Sequence, residues 1–174
     1  ERVAIYTRNL NPVTDRLPHV VEWARGLACR SAILDGEVLG FFTDGDGHHT
    51  PQPFQDTIAT FATQAAPVSN PTASDPAAPD GATAVALIRP FFFDLMALDG
   101  VSLIDEPLHR RSAALAELVG PLRIPAVVTD SADEAADHLA SALAHGHEGV
   151  MVKSVDGRYE AGRRGKSWLK VKPV

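Results

Sequence analysis

The chain has little cysteine: Cys29 stands alone, so no disulfide can form within it. That usage suits a reducing, cytoplasmic setting, with Cys29 expected to be a small core residue and not a reactive thiol. No lysine precedes Lys153. No apolar run reaches the roughly 18–20 residues needed to cross a bilayer, and no secretory signal opens the chain, so no membrane partner is expected. No internal repeat is visible. His138, His145 and His147 lack the spacing of a zinc set, and Asp44, Asp46 and Gly47 lack the further ligands of a calcium loop. Disorder as a default is excluded by an apolar content of 45%. A length of 174 residues is enough to bury a substantial core in one compact domain, or most of one.

Charge is present in an uneven way. The formal net charge is -6, yet Lys153, Arg158, Arg163, Arg164, Lys166, Lys170 and Lys172 cluster near the end. A local reversal of sign suits a polyanion such as a nucleotide triphosphate or a DNA phosphate. Strand periodicity gives the cluster a geometry. In Trp168-Leu169-Lys170-Val171-Lys172, the tryptophan and both lysines share one face, while Leu169 and Val171 share the other. The apolar face is expected to pack on the core. The two lysines would root roughly 6–7 Å apart, within reach of one phosphate group. An edge strand whose lysines deter aggregation is the alternative.

The same parity applies in Ile33-Leu34-Asp35-Gly36-Glu37-Val38, where two acids interrupt an apolar run and point to one side. Buried carboxylates need a cation, a metal or donors to offset their desolvation. Gly36 between them permits close approach of another backbone or a ligand. A two-residue Asp-Gly hairpin turn is the competing reading.

The remaining pattern mixes helix and strand. Strands are expected at Val3 to Thr7, Ile33 to Phe42, Val85 to Leu98 with an interruption at Pro90, and Ile124 to Thr129. Helical spacing covers Leu17 to Leu27, with Val20, Val21, Trp23 and Ala24 facing the core, and Phe54 to Gln64. Asp105 is expected to cap a helix from Glu106 to Val119 with Pro107 in its first turn. Ser131 and Glu134 form a capping-box pattern for a helix ending near Gly146, with Ala135, Leu139, Ala142 and Leu143 as its buried stripe. A turn runs through Asp44 to Gly47. The Ala/Pro/Ser-rich stretch 65–84 reads as a mobile surface loop.

These segments resemble a family. Leu34-Asp35-Gly36-Glu37-Val38, Phe92-Phe93-Asp94-Leu95, Glu148-Gly149-Val150-Met151-Val152-Lys153 and Trp168-Leu169-Lys170-Val171-Lys172 look like successive nucleotidyltransferase motifs of ATP-dependent DNA ligases of the bacterial type. Tyr6-Thr7-Arg8-Asn9-Leu10-Asn11 resembles the motif that precedes them. The resemblance runs from Val3 to Pro173. It implies an α+β fold: a nucleotidyltransferase (ATP-grasp-like) adenylation domain of antiparallel sheets flanked by helices. One departure stands out. Such ligases carry a nucleophilic lysine in a Lys-x-Asp-Gly motif upstream of the Thr-Arg-Asn segment, and these residues contain none. The expectation is therefore a partial adenylation domain over 1–174, incomplete at its N-terminal side and without the small C-terminal OB-fold barrel, inactive alone in self-adenylation.

The resemblance also implies roles. Lys170 and Lys172 would bind the α-phosphate and neutralise developing charge as pyrophosphate leaves. Glu148 would serve Mg2+, which prefers oxygen ligands. Glu37 would meet the ribose or Arg8, and an Arg8–Glu37 link would offset the burial of either charge. Lys153 would contact phosphate or ribose, and Asp35 would hold the strand. Phe93, with Phe91 on the same face, would stack on adenine; core packing of the phenylalanines is the alternative. Arg163, Arg164 and Lys166, between glycines, are candidate contacts to the DNA backbone. The expected cofactors are ATP and Mg2+, and the expected partner of the whole enzyme is nicked duplex DNA. Two other readings stay open: a non-catalytic nucleotide- or DNA-binding module, and a relative of RNA ligases or capping enzymes.

Overall fold

The computed structural model describes residues 2–43, 49–51, 87–161 and 167–173, with the side chains of 41–43, 49–51 and 87–88 left aside. The helix expected at Phe54 to Gln64, the turn at 44–47, the loop at 65–84 and the basic residues Arg163, Arg164 and Lys166 lie outside the described residues.

Three α-helices are described: α1 (Pro18–Arg25), α2 (Leu108–Val119) and α3 (Ala132–Ala144). The described strands are β1 (Ala32–Thr43), β2 (His49–Pro51), β3 (Leu87–Leu98), β4 (Val101–Ser102), β5 (Val150–Lys153) and β6 (Trp168–Val171). They form a four-stranded sheet in the order β2-β1-β3-β4 and a two-stranded sheet of β5 and β6. The pairings described register by register are antiparallel. The class is α+β. Among the described residues no helix is long and apolar enough to cross a membrane.

The chain divides into two compact units, one of residues 1–26 and 38–89, the other of 27–37 and 90–174. In the first, α1 begins at Pro18, whose ring fixes the helical φ and whose missing N–H is no loss at that position. Leu17 and Val20 are buried; of the four expected core positions only Val20 is. The strand expected at Val3 to Thr7 does not form. A single bridge pairs Tyr6 with Pro12 around a turn in which Leu10 takes a positive φ of 60°. The prolines at this end and the short return leave no continuous partner for a ladder.

In the second unit, Leu95, Leu115, Val119 and Phe92 make the buried core. β3 runs through Pro90 without interruption, because the φ fixed by the ring is compatible with extended backbone. Asp99 and Gly100 both take positive φ in the tight turn that pairs Leu98 with Val101. Asp99 Oδ1 also accepts the backbone N–H groups of Arg30 at 2.7 Å and Ser31 at 3.2 Å, tying the approach to β1 to this turn. Those donors hold its carboxyl below the usual range.

Five expectations fail here. Asp105 does not cap α2. The helix starts later, and its first N–H groups, those of Leu108 and His109, donate to the carbonyls of Gly157 and Val155, both at 2.9 Å. Ile124 to Thr129 is not a strand: only Arg123 bridges Phe92 before the chain leaves. The Ser131 cap does form, its hydroxyl accepting Glu134 N–H at 3.3 Å, but α3 has no buried residue. Its expected stripe is at best half-covered. Finally, the apolar face of β6 does not pack on a core, since Leu169 is 56% and Val171 37% exposed. Cys29 is half-buried, not core.

Candidate functional site

The second unit supplies most of the expected site. In β1, Asp35, Gly36 and Glu37 lie in continuous strand, which excludes the hairpin-turn reading. A Cβ on Gly36 would collide with the carbonyl oxygen of Phe91 and come within 2.9 Å of the Phe92 ring. The glycine is there so that β1 can lie close against β3. Glu37 is exposed. Asp35 is half-buried and accepts a hydrogen bond from the Tyr159 hydroxyl at 2.9 Å.

β3 alternates. Phe92 and Asp94 turn inward and are buried, while Phe91 and Phe93 on the other face are half-exposed. Asp94 is fully buried and meets a fully buried arginine from α2. Arg111 Nε reaches Oδ1 at 2.7 Å and Nη2 reaches Oδ2 at 3.0 Å, a two-pronged pair. Arg111 Nη1 donates to the carbonyls of Glu106 and Gly157. Each nitrogen of this guanidinium thus has at least one partner, which offsets the burial of its charge.

β5 and β6 pair so that Lys153 faces Trp168 and Met151 faces Lys170. Paired residues of antiparallel strands share a face, so Lys153, Met151, Trp168 and Lys170 stand together. Lys153 points inward. Its Nζ sits 4.0 Å from the centre of the Trp168 ring and 3.9 Å from Asp94 Oδ2, with only 16% of the side chain exposed. Burial lowers its pKa; the charges of Asp94 and Asp35 oppose that shift. Tyr159 completes the group, its ring edge-on to Trp168 at 5.6 Å with the Arg111 guanidinium 5.9 Å away. Burial and the Asp35 charge push its hydroxyl well above the usual range, so it stays a donor.

Glu148, Lys170 and Lys172 form the exposed part. Lys170 Nζ donates to Glu148 Oε2 at 3.1 Å. That bond and the lysine charge hold the Glu148 carboxyl below its ordinary range, and the charge of Lys172 adds to the effect. The approach depends on Gly149: its φ of 151° disfavours a side chain, and a Cβ there would strike the Val171 carbonyl and the Lys172 backbone. Among the described residues no three His, Cys, Asp or Glu side chains form a metal cage. A lone exposed carboxylate fits Mg2+ only in the way that ion commonly binds, through one or two carboxylates and a phosphate while keeping its waters.

The structure therefore brings Glu148, Lys170 and Lys172 together and turns Lys153 toward Asp94. Glu37 and Phe93 lie on the neighbouring strands, and Arg8 is an exposed turn residue of the first unit. Two grooves, of about 340 Å³ beside α1 and about 500 Å³ between Ile33 and Ile104, are lined by none of these residues. Sequence reasoning missed Asp94, Arg111 and Tyr159 as contributors. An arginine at the four-residue spacing of Arg111, Leu115 and Val119 was the available signal.

Residues 1–172 match the family described as the ATP dependent DNA ligase domain. The chain belongs to that family. A probable DNA ligase of Nocardia farcinica is 44% identical over all of this chain, which covers 33% of that protein. One from Kineococcus radiotolerans is 46% identical, again over the whole chain and 30% of the relative. The chain thus spans about a third of the length of these ligases. Among solved structures, the ligase domain of M. tuberculosis LigD superposes with a TM-score of 0.68 at 26% identity, over 98% of this chain and 48% of that one. A mycobacterial DNA ligase D complexed with ATP and MES shares the fold, with a TM-score of 0.58 at 23% identity over 97% of this chain and 47% of that one.

Proposed function

We propose that the chain is the nucleotide-handling part of an ATP-dependent DNA ligase, with a nucleotidyltransferase fold. The whole enzyme transfers AMP from ATP to a lysine and releases pyrophosphate. It then passes AMP to the 5′-phosphate of nicked duplex DNA. Attack by the 3′-hydroxyl seals the nick and frees AMP. The lysine that takes AMP stands in a part of the ligase outside these residues, none of which carries Lys-x-Asp-Gly. The observation that carries the reading is the meeting of Lys170, Lys172 and Glu148 at one end of the β5–β6 pair, in a chain of this family.

Lys170 and Lys172 bring two cations to the α-phosphate, where negative charge grows as pyrophosphate departs. Glu148 holds Lys170 in place and offers one oxygen ligand to Mg2+, which supplies further charge neutralisation when bound with the triphosphate. Glu37 binds the ribose, and the half-exposed Phe93 stacks on adenine. Lys153 reaches phosphate or ribose only by leaving Asp94, so its part here is chiefly to hold Trp168. Arg163, Arg164 and Lys166 remain DNA-contact candidates on sequence grounds.

Lys170→Ala and Lys172→Ala, made in the whole ligase, are expected to slow formation of acid-stable labelled enzyme from ATP labelled in the α-phosphate by about 10²–10³ each, the usual loss on removing one preorganised charge donor. Both residues are exposed, so melting temperatures should hardly move. Labelling at the parental rate by both variants would reduce these lysines to surface charge. Sealing of nicked RNA in preference to nicked DNA would point to an RNA-ligase relative instead.

A further inference from the structure

Two parts of the proposed site lie far apart in sequence. The acids of β1 are on one, and the tryptophan–lysine strand β6 is on the other. Tyr159 touches both. Its hydroxyl donates to Asp35 Oδ2 at 2.9 Å, and its ring meets Trp168 edge-on at 5.6 Å and 79°. Its own N–H is fixed on the carbonyl of Ile104 at 2.9 Å, and the buried Arg111 guanidinium lies 5.9 Å from the ring. These contacts hold the ring between fixed neighbours. Asp35 sits two residues before Glu37, and Trp168 two before Lys170, so each contact lies on the face that carries the neighbouring site residue.

We infer that Tyr159 is a positioning residue that sets the register between Glu37, on the ribose side, and Lys170 and Lys172, on the phosphate side. The inference rests on the ligase reading above and goes beyond it. A reaction at phosphorus needs the ribose and the leaving pyrophosphate held in one fixed relation, and misplacement by about 1 Å costs on the order of 10²-fold in rate. Tyr159 touches no reacting atom in this account. It acts through Asp35 and Trp168, and the Asp35 charge in turn acts on Lys153.

The test uses Tyr159→Phe, which keeps the ring and removes only the hydroxyl, with Asp35→Ala, which removes the acceptor, and the double variant, all in the whole ligase. The readouts are kcat and KM for ATP in self-adenylation and the melting temperature. Each single variant is expected to lower kcat about tenfold, with KM changed less than about threefold and melting within a few degrees of the parent. The double variant should be no slower than the worse single one, because both substitutions break the same link. Tyr159→Leu, which also removes the edge contact to Trp168, should be slower than Tyr159→Phe. Parental kcat in Tyr159→Phe, losses that multiply in the double variant, or a fall in melting temperature without a fall in kcat would each overturn the inference. A parent that takes no label from ATP would overturn the ligase reading together with it, whereas a labelled parent and an indifferent Tyr159→Phe would sink this inference alone.

Discussion

Replacing Arg111 with methionine would leave Asp94 buried, with Lys153 at 3.9 Å as its remaining partner among the described ion pairs. Breaking a buried pair from one side leaves an uncompensated charge and costs about 3–5 kcal/mol. Arg111→Met is therefore expected to lose stability of that size in urea denaturation, and Arg111→Met with Asp94→Leu to recover much of it. A loss below about 1 kcal/mol for the single variant would show that water reaches the pair. Legibility at this scale followed distance along the chain. Asp35 and Glu37 could be placed on one face by parity, and Lys170 and Lys172 by parity and charge, whereas Glu148 followed only from the resemblance. Arg111 is 17 residues from Asp94 and Tyr159 is 124 from Asp35. No local periodicity encodes such partners, because they meet only through the packing of α2 and the chain around Tyr159 against the strands.

Elements with a complete local signal formed where expected: β1 and β6 by period two, α1 by its helical spacing, α3 by its serine cap. Those that needed a partner did not follow from pattern. Val3 to Thr7 and Ile124 to Thr129 have strand composition, but the first meets a single bridge, at Tyr6, and the second none, the nearby bridge being at Arg123. The start of α2 is the opposite case. No side chain caps it, yet the turn after β5 supplies the acceptors that a cap would have supplied. The amides of Leu108 and His109 donate to Gly157 and Val155, although the first N–H groups of a helix ordinarily face water. In native-state hydrogen exchange these two amides should be protected together with those of β5 and β6, as one opening unit. Exchange at the rate of free first-turn amides, with β5 protected, would show that α2 and this turn are not joined.

At the scale of the whole molecule, a formal charge of -6 opposes association with a polyanion, and the densest run of positive charge that could offset it is the basic end of the chain. That same end holds the lysines Lys153, Lys166, Lys170 and Lys172, with none before them. Lys153 is tied to Asp94 and Trp168, and Lys170 to Glu148. A lysine nucleophile must be free to attack phosphorus, whereas Lys170 Nζ is held by Glu148 Oε2 at 3.1 Å. The chain as given should therefore bind the phosphates of ATP and yet form no bond to AMP. Incubated with ATP labelled in the α-phosphate and Mg2+, it is expected to carry no acid-stable label, while the whole ligase under the same conditions takes up close to one AMP per molecule. A stoichiometric phosphoramidate mapped by mass spectrometry to Lys153, Lys170 or Lys172 would place the nucleophile within these residues and reverse the division of labour argued for the lysines.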